Sequence, residues 1–200
     1  FCLSRGLGDV YKRQGKSYAM LADPLRYMGH PAFSGLLLRH TTEELRELIS
    51  VSKQLYPKAI PGIKFMERDK TWVAPSGATL WMSYLDRDDD VMRYQGQAFS
   101  WIGFDELTQW PSPYAWNYMR SRLRTTRASG LPLYMRATSN PGGPGHQWVK
   151  RTFIDPQTPN NSFSATDENG NVIETDLITV FDLEKEGWRS FNFSKVKAIA

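Results

Sequence analysis

FSWIGFDE, residues 99–106, is a short apolar run that ends on two adjacent carboxylates. Bulky aromatic and branched side chains with almost no polar alternation read as a strand buried on both faces. Such a strand delivers Asp105 and Glu106 at its carboxyl end, where an open α/β sheet collects its ligands. Carboxylates at a buried edge need partners. Beside a phosphate, the first acid can hold Mg²⁺, and the second can orient and deprotonate an attacking water. The plainer reading is an acidic surface turn, which fits the apolar run less well.

On the amino side, GLLLRH (35–40) is a second buried-type strand. Thr41 or Thr42 then caps a helix to about Tyr56, with Leu45, Leu48, Ile49, Leu55 and Tyr56 on one face. Pro57 and Pro61-Gly62 are expected to end it. KTWVA, PSG and ATLWMSYL, between Lys64 and Leu85, predict a hairpin. Residues 86–97 read as a polar connection. On the carboxyl side, a helix follows Pro111–Pro113 to about Leu123. LPLYMRATS (131–139) is a third strand, broken by Asn140-Pro141-Gly142-Gly143. A short helix is expected over 145–153, and hairpins or irregular chain beyond Asp155. Apolar strands alternating with helices predict a mainly parallel sheet covered on both faces.

Gly15-Lys16-Ser17 is expected to open the first helix, over 16–28. In a phosphate-binding loop, backbone N–H groups at a helix start cradle phosphates, the Lys reaches the β- and γ-phosphates, and the Ser hydroxyl ligates Mg²⁺. The full GxxxxGK[ST] pattern wants Gly where this chain has Val10. Taken alone, the tripeptide reads as well as a solvated helix start. In RATSNPGGPG, Thr138, Ser139 and Asn140 bring hydrogen-bonding groups to a strand end, and the glycines permit close backbone approach. Alone, that segment is an ordinary Asn-Pro-Gly turn.

Arg39, Arg93, Arg120, Arg122, Arg124 and Arg127 are options for transition-state or DNA contacts, with solvated surface positions the expectation for each. The seven tryptophans are expected in the core. His30, His40 and His146 are scattered, without Cys partners, and suggest no metal site.

The chain has 200 residues, 40% hydrophobic and 23% charged, enough for one domain with a core. Nothing approaches the roughly 20 apolar residues of a membrane span, and the start does not read as a signal peptide. The single cysteine, Cys2, favours a reducing cytoplasm. A net charge of +4 is compatible with a polyanionic partner without establishing one.

GKS, YQG shortly before FSWIGFDELT, and SRLR followed by RATSNPGGPGHQWVK resemble, in that order and spacing, the large terminases of tailed phages and prophages. The resemblance covers roughly residues 15–155. It implies a P-loop NTPase of the additional-strand, catalytic-Glu type, α/β with a mainly parallel sheet and helices on both faces, incomplete at its amino end. It implies ATP and Mg²⁺, with Gly15, Lys16 and Ser17 in the phosphate loop and Ser17 and Asp105 at the metal. Glu106 would be catalytic, and Thr138, Ser139 and Asn140 the γ-phosphate-coupling motif. The implied activity is ATP hydrolysis driving viral DNA into a prohead. Implied partners are double-stranded DNA bound without sequence preference, the portal protein, the small terminase subunit and further copies in a ring, in the bacterial cytoplasm at the portal vertex.

The chain departs from the family pattern twice. FCLSRGLGDVYKRQ, residues 1–14, is expected to be a non-native leader standing where a strand and Gly-rich loop belong. Residues 156–200 are expected to be partial linker or hairpin, without the nuclease domain of the family. Competing readings are a helicase-like P-loop ATPase and a non-hydrolysing nucleic-acid-binding remnant.

Overall fold

The computed structural model describes the backbone of residues 8–125 and 130–154, with four short strands further along, and the side chains of residues 15–125 and 130–154. Helix α1 spans Gly8–Leu25, strand β1 Ser34–Arg39 and helix α2 Thr42–Ala59. Strands β2 (Lys64–Met66), β3 (Thr71–Val73) and β4 (Thr79–Tyr84) come next, then β5 (Trp101–Phe104). Helix α3 (Tyr114–Arg120), strand β6 (Tyr134–Ala137) and helix α4 (His146–Phe153) complete the main body. Further on, β7 (Ala165–Thr166) pairs antiparallel with β8 (Val172–Ile173), and β9 (Leu177–Asp182) with β10 (Gly187–Asn192), as expected of hairpins.

One sheet of six strands, in the order β2-β3-β4-β1-β5-β6, organises the chain. Strands β4, β1, β5 and β6 run parallel, while β3 is antiparallel to β4 and β2 to β3. The apolar runs are continuous because both faces of the central strands are covered. Alternate residues point to opposite faces. Leu36, Leu38, Ile102 and Phe104 pack into a core with Trp116 of α3 and Val149 and Phe153 of α4. Leu37 and Trp101 face the other way, onto Met20 and Leu21 of α1 and Leu45, Leu48 and Tyr56 of α2. Gly103 of β5 lets α1 lie close, since a Cβ there would come within 2.9 Å of Met20 Sδ.

Local chemistry explains most boundaries. Thr41 is the cap of α2, in a capping box: its hydroxyl accepts from the Glu44 N–H, and the Glu44 carboxylate accepts from the Thr41 N–H. The helix runs past Pro57 to Ala59, contrary to expectation, because only one intrahelical bond is lost that close to the end. The stretch read as a polar connection contains a 3-10 turn over Asp88–Tyr94, which buries Val91 and Tyr94. Tyr94 donates to Ser83 Oγ at 2.8 Å.

The largest difference is at α1. Gly15-Lys16-Ser17 does not open the helix but lies inside it, one turn and more past its start at Gly8. No Pro or Gly separates Gly8 from Gly15, so nothing in DVYKRQ stops the helix. In helical backbone, the N–H groups of residues 15–17 point back to carbonyls one turn earlier rather than outward. Among the described residues, no helix is long and apolar enough to cross a membrane.

Candidate active site

The parallel strands β1, β5 and β6 end side by side, and each delivers a polar residue to one place. Backbone bonds continue the ladder past the strands: Asp105 N–H donates to Leu38 O and Thr138 N–H to Phe104 O, both at 2.9 Å. Arg39, Asp105 and Thr138 therefore sit in adjacent positions at the carboxyl edge. Helix α1 brings Lys16 and Ser17 over the same edge.

Asp105 is fully buried. Thr138 Oγ1 donates to its Oδ1, and Ser17 Oγ donates to Oδ2 at 3.3 Å. Arg39 Nε lies 3.0 Å from Oδ2, but its N–H is not aligned on that oxygen, so the contact is an ion pair without a hydrogen bond. Glu106 turns back from the strand in the left-handed region, φ 63° and ψ 56°. That conformation costs a residue with a Cβ about 1–2 kcal/mol. Two bonds hold it: Glu106 N–H donates to Thr138 Oγ1 at 3.0 Å, and Leu107 N–H to Thr138 O at 2.7 Å. One threonine hydroxyl thus positions both acids.

The Glu106 carboxylate accepts from Asn140 Nδ2 at 2.8 Å on Oε1 and 2.7 Å on Oε2. Lys16 Nζ lies 3.8 Å from Oε1, donates to Ser139 O at 3.2 Å and also donates to Asn140 Oδ1. Burial pushes the Lys16 ammonium below the usual lysine range, against the opposing pull of Glu106 and Asp105. Burial likewise raises the Glu106 carboxyl, although Lys16 draws it down. Asp105 lies against the Arg39 guanidinium, whereas Glu106 faces Lys16 and the Asn140 amide. Two neighbouring acids with such different environments suit a cation ligand and a general base.

The sequence-derived residues meet here with three adjustments. Ser139 contributes its carbonyl, its own hydroxyl being turned onto Asn140 O at 3.4 Å. Gly15 is exposed on α1, with open space where a Cβ would be. Arg39, expected at a solvated surface position, is only 9% exposed and belongs to the site. Its signal was in the sequence: a charged residue ending an apolar run must find a partner at the buried strand end.

The other arginines lie elsewhere. Arg122 and Arg124 flank Phe99 at the opposite end of β5, where Phe99 N–H donates to Arg122 O and Arg124 N–H to Phe99 O. Arg93 pairs with Asp90 and stacks over Tyr84. Arg127 falls outside the described residues.

A second polar cluster had no sequence signal. Asp23 Oδ2 accepts from Trp101 Nε1 at 2.8 Å, Tyr134 OH at 2.9 Å and Arg136 Nε at 2.5 Å. The carboxylate pins α1 to β5 and β6, two turns beyond Lys16. Burial, with the Asp23 charge beside it, drives the Tyr134 hydroxyl above its usual range.

The donors fit a hard divalent cation: Ser17 Oγ and the Asp105 oxygens are the oxygen ligands Mg²⁺ prefers. Lys16 suits a phosphate. The backbone around Gly15, being helical, does not form a phosphate cradle.

A six-stranded, mostly parallel sheet, covered on both faces and carrying two acids at the end of a central strand, defines an α/β domain. Solved structures that share this fold include large terminases. The chain matches the large terminase of a thermophilic bacteriophage, in complex with ADP, at a TM-score of 0.56 and 19% identity, over 78% of this chain and 41% of that one. Another crystal form of the same phage protein matches at 0.54 and 17%, over 83% and 45%. The chain therefore spans less than half the length of these proteins. No family model and no curated protein matches it.

Proposed function

We propose that the chain carries the ATP-hydrolysing motor unit of a tailed-phage large terminase, over residues 15–155. One observation carries the reading: Lys16 reaches the Glu106 carboxylate, Ser139 and Asn140 while Ser17 and Thr138 converge on Asp105. Asp105 and Ser17 would hold Mg²⁺, which supplies charge neutralisation on the phosphates. Lys16 would contact the β- and γ-phosphates. Glu106 would accept the proton of the attacking water. Asn140, bonded to that carboxylate and to Lys16, links the end of β6 to both.

In this role the motor drives double-stranded DNA into a prohead, in the host cytoplasm at the portal vertex. Its partners are the portal protein, the small terminase subunit and further copies in a ring. Endonuclease activity would belong to the parent protein, outside these residues. The test is a pair of substitutions. Glu106→Gln should retain Mg·ATP and lose hydrolysis by about 10²–10⁴-fold, whereas Asp105→Asn should weaken Mg²⁺-dependent binding too. Turnover by Glu106→Gln at the parent rate would remove Glu106 as the base.

The helical course of α1 through Gly15 favours a second reading, a nucleic-acid-binding remnant that does not hydrolyse ATP. Replacing residues 1–14 with an apolar strand and Gly-rich loop separates the two. The motor reading expects Lys16-dependent ATP binding to rise; the remnant reading expects none in either form.

A further inference from the structure

We infer that Arg39 keeps Asp105 from binding a bare divalent cation, so that a cation is admitted only together with the negative charge of a nucleoside triphosphate. The inference rests on the nucleotide reading above and adds a cation gate to it. The Asp105 carboxylate is fully buried, and Arg39 is only 9% exposed. Their separation is fixed by backbone: Leu38 pairs with Phe104 across β1 and β5, and Asp105 N–H bonds Leu38 O. The Arg39 backbone is also held, its carbonyl accepting from the Leu85 N–H at 2.9 Å. Arg39 is followed by His40, whose ring meets Trp110 edge-on, and by Thr41, the cap of α2.

A cation on Ser17 Oγ and Asp105 Oδ2 would share that oxygen with the guanidinium, 3.0 Å away. Lys16 and Arg39 carry two positive charges and Asp105 and Glu106 two negative ones, so the cluster sums to zero. It offers a bare cation no net attraction. A triphosphate brings several negative charges and reverses that balance. Arg39 acts through Asp105 and is a positioning residue.

Mn²⁺ alone is the probe, titrated into the full chain without nucleotide and followed by the electron paramagnetic resonance of the free ion. Arg39→Gln should bind Mn²⁺ about tenfold or more tightly than the unsubstituted chain, as removal of a like charge in a partly buried site requires. Adding Asp105→Asn should abolish the gain, and Arg39→Lys, which keeps the charge, should show none. Unchanged affinity in Arg39→Gln, or a gain in Arg39→Lys, overturns the inference.

Arg39→Gln leaves a buried carboxylate without its counter-ion and risks misfolding, so the unsubstituted chain supplies a second measurement. Its Mn²⁺ affinity should rise with a non-hydrolysable ATP analogue beyond what the analogue binds in free solution. Bare Mn²⁺ bound as tightly, and lost with Asp105→Asn, overturns the inference. Failure of the nucleotide reading looks different: no variant retains the analogue, while the bare-Mn²⁺ comparison still decides the role of Arg39.

Discussion

Asn140 donates from its single amide nitrogen to both carboxylate oxygens of Glu106, at 2.8 and 2.7 Å. The bond favours the ionised acid and opposes the burial that raises it. Removing the amide with Asn140→Ala should raise the Glu106 carboxyl further. On the proposed reading, the acid limb of the pH–rate profile then moves to higher pH, since the base works only when ionised. A limb that stays in place, or moves to lower pH, contradicts this.

Glu106 is also expected to cost stability. Its folded-state carboxyl is raised by burial, so the folded chain holds that proton more tightly than the unfolded chain. The associated stability is present at pH values below the ordinary carboxylate range and is lost as pH rises through the raised value. Glu106→Gln should therefore unfold at higher denaturant than the parent near neutral pH, with the difference shrinking on acidification. Glu106→Gly should add about 1 kcal/mol more by relieving the left-handed backbone. Denaturant midpoints measured across pH check both signs, and a parent more stable than Glu106→Gln at neutral pH would refute the assignment.

Asp23→Ala should destabilise the fold by about 3–5 kcal/mol, because it strips a buried ion pair of one partner. Arg136 would remain buried, and Trp101 and Tyr134 would lose their acceptor. Equilibrium unfolding measures the loss. A cost under about 1 kcal/mol, the size of a surface pair, would show that α1 is docked by its apolar contacts alone.

DNA binding, expected from the terminase reading and the basic balance, should be independent of sequence and carried by phosphate contacts. Affinity should then fall steeply and linearly on a log–log plot against salt. Random and defined duplexes titrated at several salt concentrations provide the measurement. A strong preference for one duplex that survives high salt is the contrary outcome.

Some of this architecture is written locally. The runs 35–40 and 99–104 became β1 and β5 because unbroken apolar stretches are stable only between two covered faces. Thr41 with Glu44 three residues on set the start of α2, since capping is a short-range exchange of hydrogen bonds. The position of the Asp105-Glu106 pair was legible for the same reason: an apolar strand aims the residues at its carboxyl end.

Other features needed contacts between distant residues. Nothing in the sequence says that Arg39, rather than Lys16, is the ion-pair partner of Asp105, or that one Thr138 hydroxyl holds both acids. Only the register of β1, β5 and β6 decides it. Asp23 looked like any acid near a helix end until folding placed Trp101, Tyr134 and Arg136 around it. The course of α1 divides the two kinds of knowledge. Gly15-Lys16-Ser17 names a phosphate loop by residue type, but N–H groups cradle an anion only where the backbone frees them, and here the helix runs through. Residue type and apolar pattern, being local, determined the strands and the chemistry on offer. Strand register and the path of the backbone, being collective, decided which groups meet.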